Sequence, residues 1–350
     1  MVIVFLPYDE AHFYQKTLKE QLAKLKVEVF PGLRTSFLPV VRSLIKYRPA
    51  VVHFHWLNPY LLGRNLPVSF VKSLLFIFEL ACCRVAGVRI VWTIHNLYNH
   101  ERYQYRLELF FNRLAVRFAD ALIVHGAAHK KEVRELYGLK DDAGIFVIGQ
   151  GNYVSSYKNL VSGAEARARL GIGTAGKVFL FFGNIRRYKG VFELVKSFKE
   201  VADSEARLLI AGQPYDEEIK KDLEAAVKGD VRIKVFLNFV PEDEVQIYMN
   251  AADAVVLPYL EITTSAVLLL ALSFGKPVIA PSLGYIKEIL GPEGSVMYDS
   301  CDPEGLALSL KKALRSDLAA MGRSNFAQAA EYSWEAAARE TYAVYSALLK

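Results

Sequence analysis

The chain has 350 residues, of which 53% are apolar and 23% are charged, and its formal net charge is +6. This composition is typical of a packed globular protein and excludes a disordered one, and the length predicts two domains at about 150 residues each. Three cysteines, two of them adjacent (Cys82 and Cys83), form neither a disulfide framework nor a CxxC metal motif, which indicates a reducing compartment.

Short apolar runs alternate with helix-like segments through the first half of the chain. Continuous apolar runs are typical of strands covered on both faces, and their alternation with helices predicts a parallel sheet. The first run has no basic leader, so it predicts a strand and not a signal peptide. The six runs are VIVFL (2–6), VEVF (27–30), VVHFHW (51–56), VRIVWTIH (88–95), ALIVH (121–125) and IFVI (145–148).

The most apolar stretch, residues 69–87, predicts a core helix. It contains Lys72, Glu79 and Arg84, so it lacks the uncharged run of 18 or more residues that a spanning helix needs. Partial insertion into a bilayer surface is the alternative.

The positive charge is confined to the first half. Residues 1–157 hold 20 Lys/Arg and 12 Asp/Glu, a net charge of +8, whereas residues 158–350 hold 23 and 25, a net charge of −2. A basic half attracts anionic surfaces or ligands, although a solvated basic face without a partner has the same composition.

A Gly-, Ser- and Asn-rich stretch at 150–176 predicts a linker near 150–160, and a second strand–helix series follows it. The predicted domains are 1–157 and 158–330, with an amphipathic helix at 331–350 expected to pack toward the first domain. The second series has the runs VFLFFG (178–183), ARLLIAG (206–212), IKVFLNF (233–239), ADAVVLP (252–258) and PVIAP (277–281).

The stretch FFGNIRRYKG (181–190) places cations where a buried strand passes into a helix. Helix N-termini favour anions, Arg and Lys suit phosphate, and Gly183 and Gly190 allow close backbone approach. The stretch therefore predicts a phosphate or diphosphate site that includes Arg186 and Lys189, while Arg187 is expected to face solvent. Three unrelated surface cations are the alternative.

A second polar turn, EITTS, follows the strand that ends at Pro258 and precedes an apolar helix. Thr263, Thr264 and Ser265 are helix-capping residue types, and Glu261 could accept hydrogen bonds from sugar hydroxyls. A capping acid that complements the helix dipole is the alternative for Glu261.

The pattern G-x-I-R-x-Y-K-G, followed by P-Y-x-E-I-x-T-S-x-x-x-x-L-A-L-S-F-G-K-P-V-I-A, resembles glycosyltransferase family 4. The resemblance implies an α/β chain of GT-B architecture, with two doubly wound Rossmann-like domains facing a central cleft and no required metal. It implies donor contacts from Arg186, Lys189 and Ser265. The pattern departs from the family at Asn184, where the common arginine is absent, and at Ile262 and Leu270, where two glutamates are usual.

The donor set predicted in this way comprises Gly183, Asn184, Glu261, Thr263, Thr264 and Ser265, with Arg186 and Lys189 acting on the departing diphosphate. Strand ends in the first half supply the other candidates, because ligands of open α/β sheets bind there. His95 is placed by the resemblance near the transferred sugar and the acceptor. The implied reaction is retaining and needs no strong protein base; if the reaction inverts instead, Glu101, His95 and Asp9 are the candidate bases. Tyr8, Asp9, His55, Asn58 and Asn96 are predicted to contact the acceptor; a zinc site among the histidines is not favoured, since no i,i+4 pair lies beside an acid.

The sequence thus predicts a glycosyltransferase that moves a sugar from a nucleotide diphosphate sugar, GDP- or UDP-linked, to an acceptor hydroxyl with retention. The donor is a co-substrate, and no cofactor is expected. A lipid-diphosphate-linked saccharide acceptor, a cytoplasmic location and attachment to the inner face of the cell membrane are also expected; nucleic-acid binding is not. The alternatives are a non-catalytic nucleotide-sugar-binding protein and a GT-B-type nucleotide-sugar epimerase.

Overall fold

The computed structural model describes residues 1–33, 37–99 and 102–350, which form two compact units. The first unit comprises Met1–Gly151 and Ser333–Lys350, and the second comprises Asn152–Tyr332. The units therefore change at 151/152 and 332/333, whereas the sequence placed the boundaries at 157/158 and 330/331. Residues after Gly151 join the second unit because Asn152 N donates to Tyr332 O (2.7 Å) and Tyr153 N donates to Ser273 Oγ (2.9 Å).

The described part of the first unit contains a parallel sheet of six strands in the order β2-β1-β3-β4-β5-β6. Its four inner strands are buried at their centres, as their continuous apolar runs predict, whereas the two edge strands are partly exposed. They are β1 (Val2–Leu6), β2 (Glu28–Pro31), β3 (Val51–Phe54), β4 (Arg89–Thr93), β5 (Ala121–Val124) and β6 (Ile145–Val147).

Helices flank this sheet, and the C-terminal helix packs against the first helix of the unit. The apolar face of that C-terminal helix includes Trp334 and Tyr345, and the Tyr345 side chain is completely buried. The helices are α1 (Phe13–Lys24), α2 (Pro39–Tyr47), α3 (Asn58–Leu61), α4 (Leu66–Val85), α5 (Tyr105–Ala115), α6 (Ala127–Tyr137) and α15 (Trp334–Leu348).

The second unit repeats the architecture with the strand order β12-β11-β10-β7-β8-β9. Its strands are β7 (Val178–Phe182), β8 (Arg207–Ala211), β9 (Ile233–Phe236), β10 (Ala254–Val256), β11 (Val278–Pro281) and β12 (Ser295–Tyr298). Its helices are α7 (Gly163–Arg169), α8 (Val191–Lys199), α9 (Glu217–Val227), α10 (Val245–Ala251), α11 (Ala266–Ser273), α12 (Gly284–Ile289), α13 (Gly305–Leu314) and α14 (Leu318–Ala329).

The predicted α/β class with two doubly wound sheets is confirmed. Strand β12 was missed, because an edge strand of four residues, SVMY, lacks the long apolar run that marks a central strand. Among the described residues, α4 is the one helix that is long and apolar enough to cross a bilayer. Its inner side lies in the core of the first unit, where Phe76, Leu80 and Cys83 are buried.

We expect Tyr345→Ala to lower the free energy of unfolding of the first unit by about 3–5 kcal/mol, because it leaves a large cavity. The matched variant Tyr342→Ala, on the exposed side of the same helix, should change it by less than about 0.5 kcal/mol. All three tryptophans of the chain lie in this unit, so tryptophan fluorescence during urea denaturation reports its unfolding. Equal effects of the two substitutions would show that α15 is not part of this core.

Candidate active site

The turn after β7 carries the cationic stretch and is held by backbone hydrogen bonds to neighbouring turns. Strand β7 ends at Phe182, and Gly183 follows with a φ of +97°. Ile185 N donates to Gln213 O (2.9 Å), and Tyr215 N donates back to Ile185 O (3.0 Å). Residues Arg187–Lys189 then form one 3₁₀ turn before α8. The position of the cations is therefore fixed by the sheet and not by the side chains themselves.

Two glycines are required by close backbone contacts in this region. A Cβ on Gly190 would lie 1.8 Å from Pro258 O, and the residue has a φ of +69°. A Cβ on Gly212 would lie 2.0 Å from Gly183 O. Both distances are far below van der Waals contact, so larger residues would separate the turns that follow β7, β8 and β10.

The three cations of the stretch point to different partners. The Arg186 guanidinium lies over the Tyr215 ring, 4.4 Å from its centroid. Arg187 is exposed and bridges Glu218 (2.9 Å) and Asp222 (2.6 Å) on α9. Arg187 is therefore engaged by surface carboxylates, whereas Arg186 is held against an aromatic ring at the strand end.

Lys189 points inward, toward the first turn of α11. A Cβ built on Gly183 would lie 3.9 Å from Lys189 Nζ and 3.2 Å from Val267 Cγ2, so these groups converge. The Lys189 ammonium also lies 5.9 Å from the Tyr259 ring centroid. Burial, followed by the nearby Arg186 charge, lowers the pKa of Lys189 from 10.5 to about 8. A group that shares its surroundings with a second cation is strongly stabilised by an anion.

The polar turn before α11 is completed by Ser265. Its Oγ accepts from Leu268 N (3.1 Å), which makes Ser265 the N-cap of α11, and it lies 3.2 Å from the Tyr259 hydroxyl. Thr263 and Thr264 are half-buried before it, and Glu261 is exposed. Asn184 is exposed on the turn after β7. The structure thus brings Gly183, Lys189 and the start of α11 together, with Ser265 engaged in capping.

A row of histidines follows the ends of three adjacent strands in the first unit. His55 follows β3, His95 follows β4 and His125 follows β5. His55 Nδ1 lies 3.2 Å from His95 Nε2, and His95 Nδ1 lies 3.1 Å from His125 Nε2. The order of the row repeats the order of the strands, because parallel strands end at the same edge of the sheet.

One carbonyl fixes the tautomer of the whole row when the rings are neutral. Ile148 O can only accept, so His125 Nδ1 donates to it (2.9 Å) and His125 Nε2 is an acceptor. His95 Nδ1 must then donate to His125, and His55 Nδ1 must donate to His95. The remaining acceptor, His55 Nε2, is buried and has no hydrogen-bond partner within the described part of the chain.

Burial keeps the rings of the row neutral. Desolvation, with repulsion from neighbouring rings, lowers the pKa of His95 and His55 well below 6.5, and desolvation lowers that of His125 to about 4. Trp56 stacks on His95 at 4.7 Å between centroids, and Tyr14 packs edge-on at 4.8 Å. His95 uses both ring nitrogens inside the row, so the row fixes its orientation.

Tyr8 and Asp9 line a cavity of ≈ 650 Å³ at the end of β1, together with His12 and Trp56. Most of the lining is apolar, from residues that include Leu33, Pro39, Leu75 and Phe76. Asp9 Oδ1 accepts from Ala11 N (3.1 Å) and so stabilises the turn before α1. The cavity is therefore an apolar space with a few polar groups, the usual composition of a small-molecule site.

The other predicted residues of the first unit are less enclosed. Asn58 begins the short helix α3, and Asn96 is half-buried directly after His95. Glu101 and its neighbour His100 lie outside the described residues. His53 is buried on β3, where Nδ1 pairs with the Tyr345 hydroxyl and Nε2 with Thr93 Oγ1 (2.7 Å), which makes it a structural residue.

Sequence reasoning missed His125, Tyr215 and Tyr259. His125 ends the run ALIVH, so the strand-end rule that selected His95 would also have selected it. Tyr215 and Tyr259 likewise follow strands, but only the packing shows that they lie against Arg186 and Lys189. Within the described ranges, no group of three or more His, Cys, Asp or Glu side chains is arranged to hold a metal ion.

Comparison with known proteins agrees with this geometry. Residues 176–316, which contain the cationic turn and α11, match the family model described as Glycosyl transferases group 1. The chain is 29% identical over 262 residues to the GDP-mannose:glycolipid 4-beta-D-mannosyltransferase of Xanthomonas campestris, covering 74% of this chain and 70% of that protein.

Solved structures share the fold over nearly the whole chain. The sucrose-phosphate synthase of Thermosynechococcus elongatus gives a TM-score of 0.78 at 18% identity and covers 99% of this chain and 98% of its own. Anabaena HepE, solved in complex with UDP and glucose, gives 0.76 at 15% identity and covers 99% of each chain. These sheets therefore define the GT-B fold.

The chain is a glycosyltransferase of this fold class. Its sequence resembles glycosyltransferase family 4, and the segment that matches the Glycosyl transferases group 1 model lies in its second unit.

The histidine row predicts a specific magnetic-resonance signature. In ¹⁵N-labelled protein we expect the imidazoles of His55, His95 and His125 to be neutral Nδ1–H tautomers and to remain neutral from pH 7 down to about pH 5, since burial lowers their pKa. His12→Gln, which changes a ring outside the row, serves as the control for assignment. An Nε2–H tautomer at His95, or titration of His95 near pH 6.5, would contradict the row.

Proposed function

We propose that this protein transfers a sugar from a nucleotide diphosphate sugar to a hydroxyl of a glycolipid or saccharide acceptor, with retention at the anomeric carbon. The observation that carries the proposal is the convergence of Lys189 with Gly183 and the first turn of α11, on the same turn as Arg186. Departure of the nucleoside diphosphate develops negative charge on the phosphate oxygens, and these groups are placed to stabilise it.

The surroundings of Lys189 favour the binding of an anion. Its ammonium is desolvated and next to a second cation, so the positive charge is costly until an anion neutralises it. The N-terminal amides of α8 and α11 add the positive end of each helix dipole. A diphosphate supplies enough negative charge for both side chains, whereas a single carboxylate does not.

Retention is supported by the state of His95. Both of its ring nitrogens are occupied in the histidine row, and burial keeps its pKa low, so it is poorly suited to accept a proton from an acceptor hydroxyl. A retaining transfer in which the departing phosphate accepts that proton needs no strong protein base. His95 then acts without accepting a proton, in an orientation that His55 and His125 set.

The acceptor is assigned to the apolar cavity beside Tyr8 and Asp9. Its polar groups, Asp9 and His12, could orient hydroxyls, while its apolar lining suits a less polar part of the acceptor. The relative that acts on a glycolipid with GDP-mannose supports this class of acceptor and donor, and the neighbour solved with UDP supports a uridine nucleotide equally. Both GDP- and UDP-linked donors are therefore included in the assay.

We expect Arg186→Ala to lower the turnover number by about 10²–10³-fold, the usual effect of removing one donor to a developing oxyanion. Arg187→Ala is the matched control from the same turn, because Arg187 pairs with Glu218 and Asp222 at the surface. The measurement is release of nucleoside diphosphate from GDP-mannose, UDP-glucose and related donors, with and without glycolipid acceptors.

The same assay separates the proposal from its alternatives. Equal activity of the Arg186→Ala and Arg187→Ala variants would show that Arg186 has no special role in the reaction. Nucleotide binding in calorimetry without turnover of any donor would indicate a non-catalytic binding protein, and interconversion of donor sugars without release of nucleotide would indicate an epimerase.

Nucleotide affinity should also depend on the protonation of Lys189. Because its pKa is lowered to about 8, the ammonium is fully present below that pH and is lost above it. The affinity for GDP or UDP should therefore be constant near neutral pH and fall above about pH 8, by at most about tenfold per pH unit. In Lys189→Arg the guanidinium stays protonated, so this pH dependence should disappear. Wild-type affinity that is flat up to about pH 9.5 would be inconsistent with a role of Lys189 in binding.

A further inference from the structure

Three neighbouring helices of the first unit expose apolar side chains to solvent. Helix α4 packs against α2 and α5, and we call the solvent-facing side of these helices the α2–α4–α5 face. On α4, Val71, Leu74 and Phe78 are exposed by 56%, 50% and 55%, at helical spacing along one side. The other exposed large apolar residues of the three helices are Ile45, Leu66, Phe70, Val85 and Phe110. A group of exposed apolar side chains on adjoining helices is typical of an interaction site.

The exposed charges of the same helices are all positive. The three helices are described in full and contain two acids, Glu79 and Glu108, both of which are buried. Glu79 Oε1 accepts from Val40 N (2.7 Å) and Val41 N (3.0 Å), and Glu108 accepts from Asn99 N (3.0 Å). The exposed charged residues that remain are Arg42, Lys46, Arg84, Arg106 and Arg113.

Helix α4 is held along the surface of the unit. Its Phe76, Leu80 and Cys83 are buried in the core, and Ser73 Oγ donates to Leu61 O (3.0 Å). Lys72 Nζ donates to Pro59 O (2.8 Å) and Leu62 O (2.6 Å). Crossing a bilayer would remove this helix from its sheet, so its length and hydropathy are accounted for by two apolar sides, one facing the core and one facing outward.

We propose that the α2–α4–α5 face binds the surface of an anionic lipid bilayer, with α4 lying parallel to the membrane. Apolar side chains that enter the headgroup boundary, framed by cations and without an exposed carboxylate, are the features of an interfacial helix. Cations near an anionic leaflet add to the apolar contribution, and the first unit carries the positive charge of the chain. The charge complementarity selects an anionic bilayer over a neutral apolar partner.

The inward side of α4 relates the proposed membrane face to the proposed function. Lys72, Leu75 and Phe76 line the cavity that contains Tyr8 and Asp9, so the proposed acceptor site lies one helix away from the bilayer. That consequence rests on the proposed function, whereas membrane binding itself requires neither donor nor acceptor.

The test is sedimentation of the purified full-length chain with vesicles, without nucleotide or acceptor. We expect binding to equimolar phosphatidylglycerol and phosphatidylcholine vesicles, weaker binding to phosphatidylcholine alone, and a decrease with added salt. The triple variant Val71→Gln, Leu74→Gln, Phe78→Gln should bind on the order of 100-fold more weakly, since it removes three half-buried apolar contacts with lipid. Glutamine is a good helix former, so α4 should be retained.

Matched controls separate the face from general hydrophobicity and charge. Val231→Gln with Phe239→Gln changes exposed apolar residues of the second unit and should leave binding unchanged. Lys46→Glu with Arg106→Glu should weaken binding by at least about 25-fold, whereas Lys311→Glu with Lys312→Glu, which makes the same change in net charge, should have a much smaller effect.

Two outcomes would overturn the proposal. One is no salt-sensitive preference for anionic vesicles while circular dichroism shows a folded chain. The other is a dimer in size-exclusion chromatography that the α4 triple variant abolishes, which would assign the face to a second copy of the chain. Release of nucleotide from the donor is measured separately in detergent, so failure of membrane binding and failure of transferase activity are distinguishable.

Discussion

The cationic site depends on one steric constraint, which is the direct packing of backbone against backbone at the ends of three strands. The carbonyl of Pro258 occupies the position that a side chain on Gly190 would need, and Gly183 O does the same for Gly212. These contacts set the turn after β7 close to the turns after β8 and β10. Lys189 consequently points toward α11, and Arg186 lies on the Tyr215 ring. Because these backbone contacts are so close, the turns have little freedom to move the two charges apart.

In the first unit, polar imidazole rings are buried at the edge of the sheet where the parallel strands end. A charged imidazole would be costly there, and an unpaired neutral one would lose hydrogen bonds to water. His95 and His125 have both ring nitrogens paired, and His55 has one, because adjacent parallel strands place one ring each at this edge. The Ile148 carbonyl can only accept, so each neutral ring of the row, from His55 to His125, donates its Nδ1–H toward that end. Orientation of His95 is therefore a property of the sheet and not of its own loop.

Helix α4 connects the core with the outer surface of the same unit. Its buried carboxylate, Glu79, accepts from the first amides of α2 and so satisfies a helix N-terminus that would otherwise need a capping side chain. With that acid turned inward, the outer surface keeps only cations among its charges. The inner side lines the cavity at Tyr8 and Asp9. The orientation of α4 against the sheet therefore determines which of its residues pack in the core, which way Glu79 points and which side chains line the cavity.

The sequence by itself determined the two strand–helix series, the glycosyltransferase resemblance and the candidacy of Arg186 and Lys189, because these depend on local runs and on positions at strand ends. It did not determine β12, whose pairing with β11 supplies what its short sequence does not. The tertiary structure alone decided that Arg187 turns to α9 and that Glu79 is buried. It also joined histidines that are 40 and 30 residues apart in the chain. The physical reason is that hydrogen-bond partners and burial are set by which elements pack together, and local pattern carries no information about the neighbours of a strand end.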